Sequence, residues 1–94
     1  MKISGQVYDF TKRLHPAQRR AIKAALRELE RADGAGAMAL INELEGYHRL
    51  KIGKFRVIFR FLRDGEISCE FIEERGTVYK EFRVLRDIIE GRRK

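Results

Sequence analysis

The residues best equipped for chemistry are six cations in one stretch. Residues 47–63, YHRLKIGKFRVIFRFLR, carry Arg49, Lys51, Lys54, Arg56, Arg60 and Arg63 with no acid, so +6 of the chain's formal +7 lies there. A stripe of this kind is suited to a phosphate polyanion: positive side chains stabilise charge on a phosphate in a transition state, and one positioned acid or base can move the proton. Tyr79 is the candidate for that second part, although an aromatic packing at a helix start accounts for it equally well. Other chemistries have less support. The Cys, His, Asp and Glu residues do not have the spacing of a metal site, no glycine-rich phosphate loop is present, and Ser4 and Ser68 lack a nucleophile-elbow context. His48 falls on the apolar side of its strand, and His15 precedes Pro16 at a helix start, where capping is the simpler role. Neither a metal nor a cofactor is expected.

The elements that must position these cations follow from pattern. Ile3 to Phe10 is rich in β-branched and aromatic residues and reads as a first strand. Pro16 opens a helix in which Ile22, Ala25, Leu26 and Leu29 recur at three- and four-residue spacing, and Gly34 ends it. Met38, Leu40, Ile41 and Leu44 suggest a second, shorter helix or a packed connection. From Tyr47 the period changes to two.

Strands over Tyr47–Ile52 and Phe55–Leu62 are joined by Gly53-Lys54, which fits a type II′ turn and sets Ile52 opposite Phe55, Leu50 opposite Val57 and His48 opposite Phe59. The other face then pairs Lys51 with Arg56, Arg49 with Ile58 and Tyr47 with Arg60. Like charges opposed across a ladder are unfavourable, which points to an anion that the face must bind. A three-residue loop, Arg63-Asp64-Gly65, leads to a third strand and pairs Phe61 with Ile67, Phe59 with Cys69 and Val57 with Phe71. The result is a meander with an apolar face for the helices and an open charged face, on which Tyr47, Ile58 and Leu62 are exposed while Phe55, Phe59, Phe61 and Phe71 are core. A C-terminal helix from about Tyr79 to Glu90, built on Phe82, Leu85 and Ile88 or Ile89, completes an α+β fold of one domain over residues 1–94.

Composition agrees with one small basic domain. The chain has 94 residues, 44% hydrophobic and 37% charged, enough for a single core. Cys69 lies in an apolar alternation and reads as a buried free thiol in a reducing compartment. No apolar run reaches the ~18–20 residues of a membrane span, and MKISGQVYDF lacks the apolar block of a signal peptide, so a soluble cytoplasmic protein is expected.

The order strand, helix, helix, meander, with LEGYHRLKIGKFRVIFRF followed by ERGTVY, resembles the RelE/ParE superfamily of bacterial toxin–antitoxin toxins. The resemblance implies one of two activities on this fold: ribosome-dependent mRNA endonuclease or gyrase inhibitor, the second without chemistry of its own. A member that binds RNA without turnover is the third reading. In the nuclease branch, cleavage proceeds by attack of the ribose 2′-hydroxyl on the adjacent phosphate. Arg49 and Lys51 then match the basic pair on the first meander strand, Arg56 matches the arginine of a G-x-[YF]-R element, and Lys54 and Arg60 on the same stripe are assigned to RNA binding. Tyr79 matches the late tyrosine that helps deprotonate the 2′-hydroxyl or orients the phosphate. The chain departs from the best-known nuclease form six residues before that tyrosine, where Glu73 replaces a catalytic arginine; Arg75, four residues before it, is the candidate substitute. The implied partners are the ribosome, mRNA and a cognate antitoxin, the last engaging Phe82, Leu85 and Ile89 on a swappable C-terminal helix.

Overall fold

A computed structural model describes residues 1–74 together with Phe82, Arg83, Arg86 and Asp87. The order of elements is β1 (Lys2–Ile3), α1 (Gly5–Lys12), α2 (Pro16–Arg31), β2 (Met38–Ala39), a 3-10 turn (Asn42–Leu44), β3 (Tyr47–Ile52), β4 (Phe55–Phe61) and β5 (Ile67–Glu74). The strands form one mixed sheet in the order β1-β5-β4-β3-β2, in which β1 runs parallel to β5 and the other pairs are antiparallel.

The N-terminal segment corrects the expectation of a strand over Ile3–Phe10. Only Lys2 and Ile3 pair with β5, and Ser4 then turns the chain: its backbone is extended, and its Oγ accepts from the Val7 amide at 3.2 Å, the geometry of a helix N-cap. Val7, Phe10 and Leu14 are spaced by three and four and pack on the core, a helical stripe that the β-prone composition of the segment hid. α2 is as expected. His15 Nδ1 caps it by accepting from the Ala17 amide at 3.2 Å, and Ile22, Leu26 and Leu29 are buried. At its end Gly34, at φ +86°, sends its N–H to the Leu29 carbonyl at 2.9 Å.

No second helix follows. Asn42 has φ +57°, and Met38–Ala39 pairs with His48 and Arg49 as an edge strand, so the segment is a packed connection that ends in a single 3-10 turn. The β3–β4 hairpin has the expected register at every position from Tyr47–Arg60 to Ile52–Phe55. Gly53 alone in its turn has positive φ, at +58°, as a type II′ turn requires. The loop at Arg63–Gly65 also closes as expected, with Gly65 at φ +88° and the Leu62 amide bonded to the Glu66 carbonyl at 2.7 Å.

Register departs within β4–β5. Phe61–Ile67 and Phe59–Cys69 pair as expected, but a bulge then inserts Glu70, and Val57 faces Ile72 rather than Phe71. Regular pairing would bury Phe71 on the helix side and leave Ile72 on the far face. The bulge turns Ile72 inward and sends Phe71 to a second cluster, so both are buried. The first core lies between the helices and one sheet face and includes Val7, Ile22, Leu26, Leu29, Val57 and Phe59. The second, on the opposite face, joins Leu44, Ile58, Phe71 and Phe82, with Leu40 and Tyr47 against it.

That face is therefore not open along its length. Ile58, expected to be exposed, is 0% exposed, whereas Phe61, expected in the core, is 38% exposed near the end of the hairpin. Phe82, Arg83, Arg86 and Asp87 are helical, and the rest of the C-terminal helix expectation lies outside the described residues. Ile58→Ala distinguishes a covered face from an open one. Loss of a fully buried isoleucine should cost about 2–5 kcal/mol in urea denaturation, against a few tenths for an exposed position.

Candidate functional site

The cations reach one surface because β3 and β4 pair in a register that places Arg49, Lys51, Arg56 and Arg60 on the same sheet face. Three rows cross this face. In the first, Lys51 stands opposite Arg56, and Arg56 stands opposite Glu73 on β5. Lys51 is exposed, while Arg56 and Glu73 are half-buried. The turn holds the arginine: Arg56 Nη1 donates to the Gly53 and Phe55 carbonyls, each at 2.9 Å. In the second row, Arg49 flanks Ile58 and Phe71, and its Nη2 lies 3.8 Å from Met38 Sδ. The third row runs Tyr47, Arg60, Ser68.

β5 brings acids to this surface that a count over residues 47–63 does not include. Arg60 Nε lies 3.3 Å from Glu70 Oε2, which also accepts from Ser68 Oγ at 2.6 Å. Lys54 Nζ lies 3.5 Å from Glu74 Oε1 and 5.6 Å from the centre of the Phe55 ring. Both cations assigned to RNA binding thus have carboxylate neighbours. A groove of about 520 Å³ lies beside β2, lined by Met38, Leu40, Ile41, Leu44 and Arg49.

The second core closes the middle of the face. The Phe82 ring meets Tyr47 edge-on at 5.0 Å and Phe71 at 5.9 Å, and Phe82 is 4% exposed. Arg86 Nη1 donates to the Glu43 carbonyl at 2.7 Å, Arg83 Nη1 meets Glu43 Oε2 at 3.2 Å, and the Arg86 guanidinium lies 6.0 Å from the Tyr47 ring centre. Phe82, assigned to antitoxin contact, is thus packed against this chain's own sheet. Arg75, Tyr79, Leu85 and Ile89 lie outside the described residues.

The remaining nucleophile and base candidates have structural positions. His48 stacks on Phe59 at 5.2 Å and meets Phe61 edge-on at 5.2 Å. Cys69 is fully buried with Sγ 3.7 Å from Met1 Sδ, and burial, reinforced by the Glu70 charge, pushes its thiol up to about 12. Among the described residues no group of three or more His, Cys, Asp or Glu side chains could hold a metal, and no helix is long and apolar enough to cross a membrane.

Sequence reasoning missed Glu70, Glu73 and Glu74 as neighbours of the cations. Their position depends on the bulge, and the only available signal was the recurrence of acids along β5.

No family model matches the sequence, and no curated protein does. Solved structures do. The chain superposes with a TM-score of 0.68 on a chain of the toxin–antitoxin complex RelBE2 from Mycobacterium tuberculosis, at 18% identity over 79% of this chain and 87% of that one. A chain of the RelB–RelE antitoxin–toxin complex from Methanococcus jannaschii gives a TM-score of 0.65 at 15% identity, over 87% of this chain and 99% of that one. At these identities the likeness is one of fold.

The raised Cys69 pKa makes stability depend on alkaline pH. An ordinary thiol ionises near 9.0, and the folded thiol is held protonated to about 12. Its contribution is complete below pH 9 and falls by about 1.4 kcal/mol per pH unit between those values. Urea unfolding at pH 8 and pH 10 should show a larger loss in the wild type than in Cys69→Ala; equal losses would place the thiol in water.

Proposed function

We propose that the chain is the toxin of a toxin–antitoxin pair and that it cleaves mRNA on the ribosome without a metal. The observation that carries this reading is the Lys51–Arg56 pair: two cations opposed on one sheet face, the arginine held to its own turn by two carbonyls. Opposed like charges oppose pairing by some tenths of a kcal/mol up to about 1 kcal/mol, and a bound phosphate reverses the sign. The shared fold with chains of RelBE complexes supports a place in a toxin–antitoxin system, and a formal +7 suits the partner that meets RNA.

In this reading Arg56 and Lys51 hold the scissile phosphate and stabilise its added charge. The ribose 2′-oxygen attacks phosphorus, its proton passes to a base, and the 5′-oxygen leaves. Arg49 and Arg75 extend the phosphate contacts, Lys54 and Arg60 steer the strand, and Tyr79 orients the reacting groups. The cognate antitoxin engages the C-terminal helix around Phe82, Leu85 and Ile89, and the protein acts in the cytoplasm, where ribosomes are.

One observation favours a second reading, a gyrase inhibitor without chemistry of its own. Glu70 and Glu74 stand on Arg60 and Lys54 and reduce the cationic area available to RNA.

Translating ribosomes with mRNA separate the two. Codon-level cuts are expected, and Arg56→Ala or Lys51→Ala should slow them about 10²–10³-fold, as loss of one transition-state donor does. Each substitution should also lower the salt slope of RNA binding by about 0.7. Uncut mRNA together with blocked gyrase supercoiling would establish the second reading instead.

A further inference from the structure

The first row of the sheet face holds one carboxylate beside the two cations, and its chemistry differs from theirs. The bulge at Glu70 shifts β5 by one residue, so that Glu73 and not Ile72 stands opposite Arg56. Lys51, Arg56 and Glu73 then cross three adjacent strands in one line on the same face. Arg56 commits Nη1 to the turn carbonyls, which leaves Nε and Nη2 as donors for a carboxylate or a phosphate. Glu73 Oε1 accepts from the Glu74 amide at 3.2 Å, a bond that restrains the carboxylate next to its own strand. Both side chains are half-buried, which restricts their rotamers.

We infer that Glu73 is the proton acceptor for the 2′-hydroxyl, with Arg56 between it and Lys51 as the group that holds the phosphate. This rests on the nuclease reading above and assigns the base within it. In the step, the 2′-oxygen forms a bond to phosphorus, and its proton moves to the Glu73 carboxylate. The bond from phosphorus to the 5′-oxygen breaks, and that oxygen takes a proton from solvent. The products are a 2′,3′-cyclic phosphate and a 5′-hydroxyl; Glu73 then returns its proton to solvent, so atoms and charge balance.

A guanidinium has donors and no acceptor, so within this row Glu73 is the side chain that can take a proton. A bare cation row would bind the phosphate but leave the hydroxyl proton without an acceptor. Among the described residues, charge on the elements packed about β5 comes from Arg56 and Arg60 on β4, Lys51 on β3, Lys54 in the turn, Glu70 and Glu74 on β5 itself and Lys2 on β1, with Asp9 and Lys12 of α1 on the other face of the sheet. Arg83, Arg86 and Asp87 add further charge, and both arginines are engaged with Glu43.

The experiment compares wild type, Glu73→Gln and Glu73→Asp on translating ribosomes, after thermal unfolding has established that each variant folds. Binding is measured separately on ribosomes programmed with mRNA that carries a 2′-deoxy nucleotide at the cut. Glu73→Gln should keep that binding and lose about 10²–10⁴-fold in cleavage, the usual contribution of a general base. The wild-type rate should rise tenfold per pH unit on the acid side. This limb should vanish in Glu73→Gln and persist, at a lower rate, in Glu73→Asp. A wild type that cuts while Glu73→Gln keeps the rate and the limb would overturn the role of Glu73 and leave the nuclease standing. A wild type that never cuts would overturn both.

Discussion

The sheet depends on one extra residue. Glu70 occupies a bulge in β5, and every contact beyond it on that strand follows from the shift it introduces. With Glu70 inserted, Ile72 enters the core beneath the helices and Phe71 enters the cluster with Ile58 and Phe82. Full burial of each is worth about 1.5–3 kcal/mol relative to exposure, more than one interrupted ladder bond costs. The interruption is also repaired: Ser4 Oγ donates to the Glu70 carbonyl at 2.8 Å, and the same hydroxyl caps α1 by accepting from Val7. Two residues further along, Gln6 takes the place of a neighbouring strand, with Nε2 donating to the Ile72 carbonyl at 2.7 Å and Oε1 accepting from its amide at 2.8 Å. The short β1, the early helix and the bulge are thus one arrangement of the chain.

The same shift decides the electrostatics of the opposite face. β4 supplies cations and β5 supplies acids, so Arg56, Arg60 and Lys54 each acquire a carboxylate in register or in contact. Solvent-exposed pairs such as Lys54–Glu74 add at most about 1 kcal/mol to stability, and their larger effect is on what the surface attracts. A uniform stripe would draw any polyanion along its length. The face observed instead alternates the cations of β4 with the acids of β5.

Much of this is legible in the sequence. The β3–β4 hairpin could be read to the residue because a two-residue turn with glycine first allows one register, and alternation assigns the faces. α2 could be read because Pro16, the spacing of Ile22, Leu26 and Leu29, and Gly34 agree. His15 as a cap, His48 as a structural ring and Cys69 as a buried thiol also followed from position. The N-terminal segment misled because Val7, Tyr8 and Phe10 favour strands in composition while Ser4 provides a helix cap. Met38 to Leu44 left a second helix and a packed connection both open, because an edge strand two residues long is too short to show a period.

What local rules settle in this chain is whatever depends on neighbours a few residues away: turn type, hairpin register, the helix stripe and the position of the cations on one face. Contacts distant along the chain settle the rest. A bulge is chosen when burying two apolar residues on opposite faces outweighs a regular ladder, and that balance exists only once α1, the 3-10 turn and Phe82 have covered both faces. The register that sets Glu73 opposite Arg56 follows from that balance and is invisible to any count of residues along the strand.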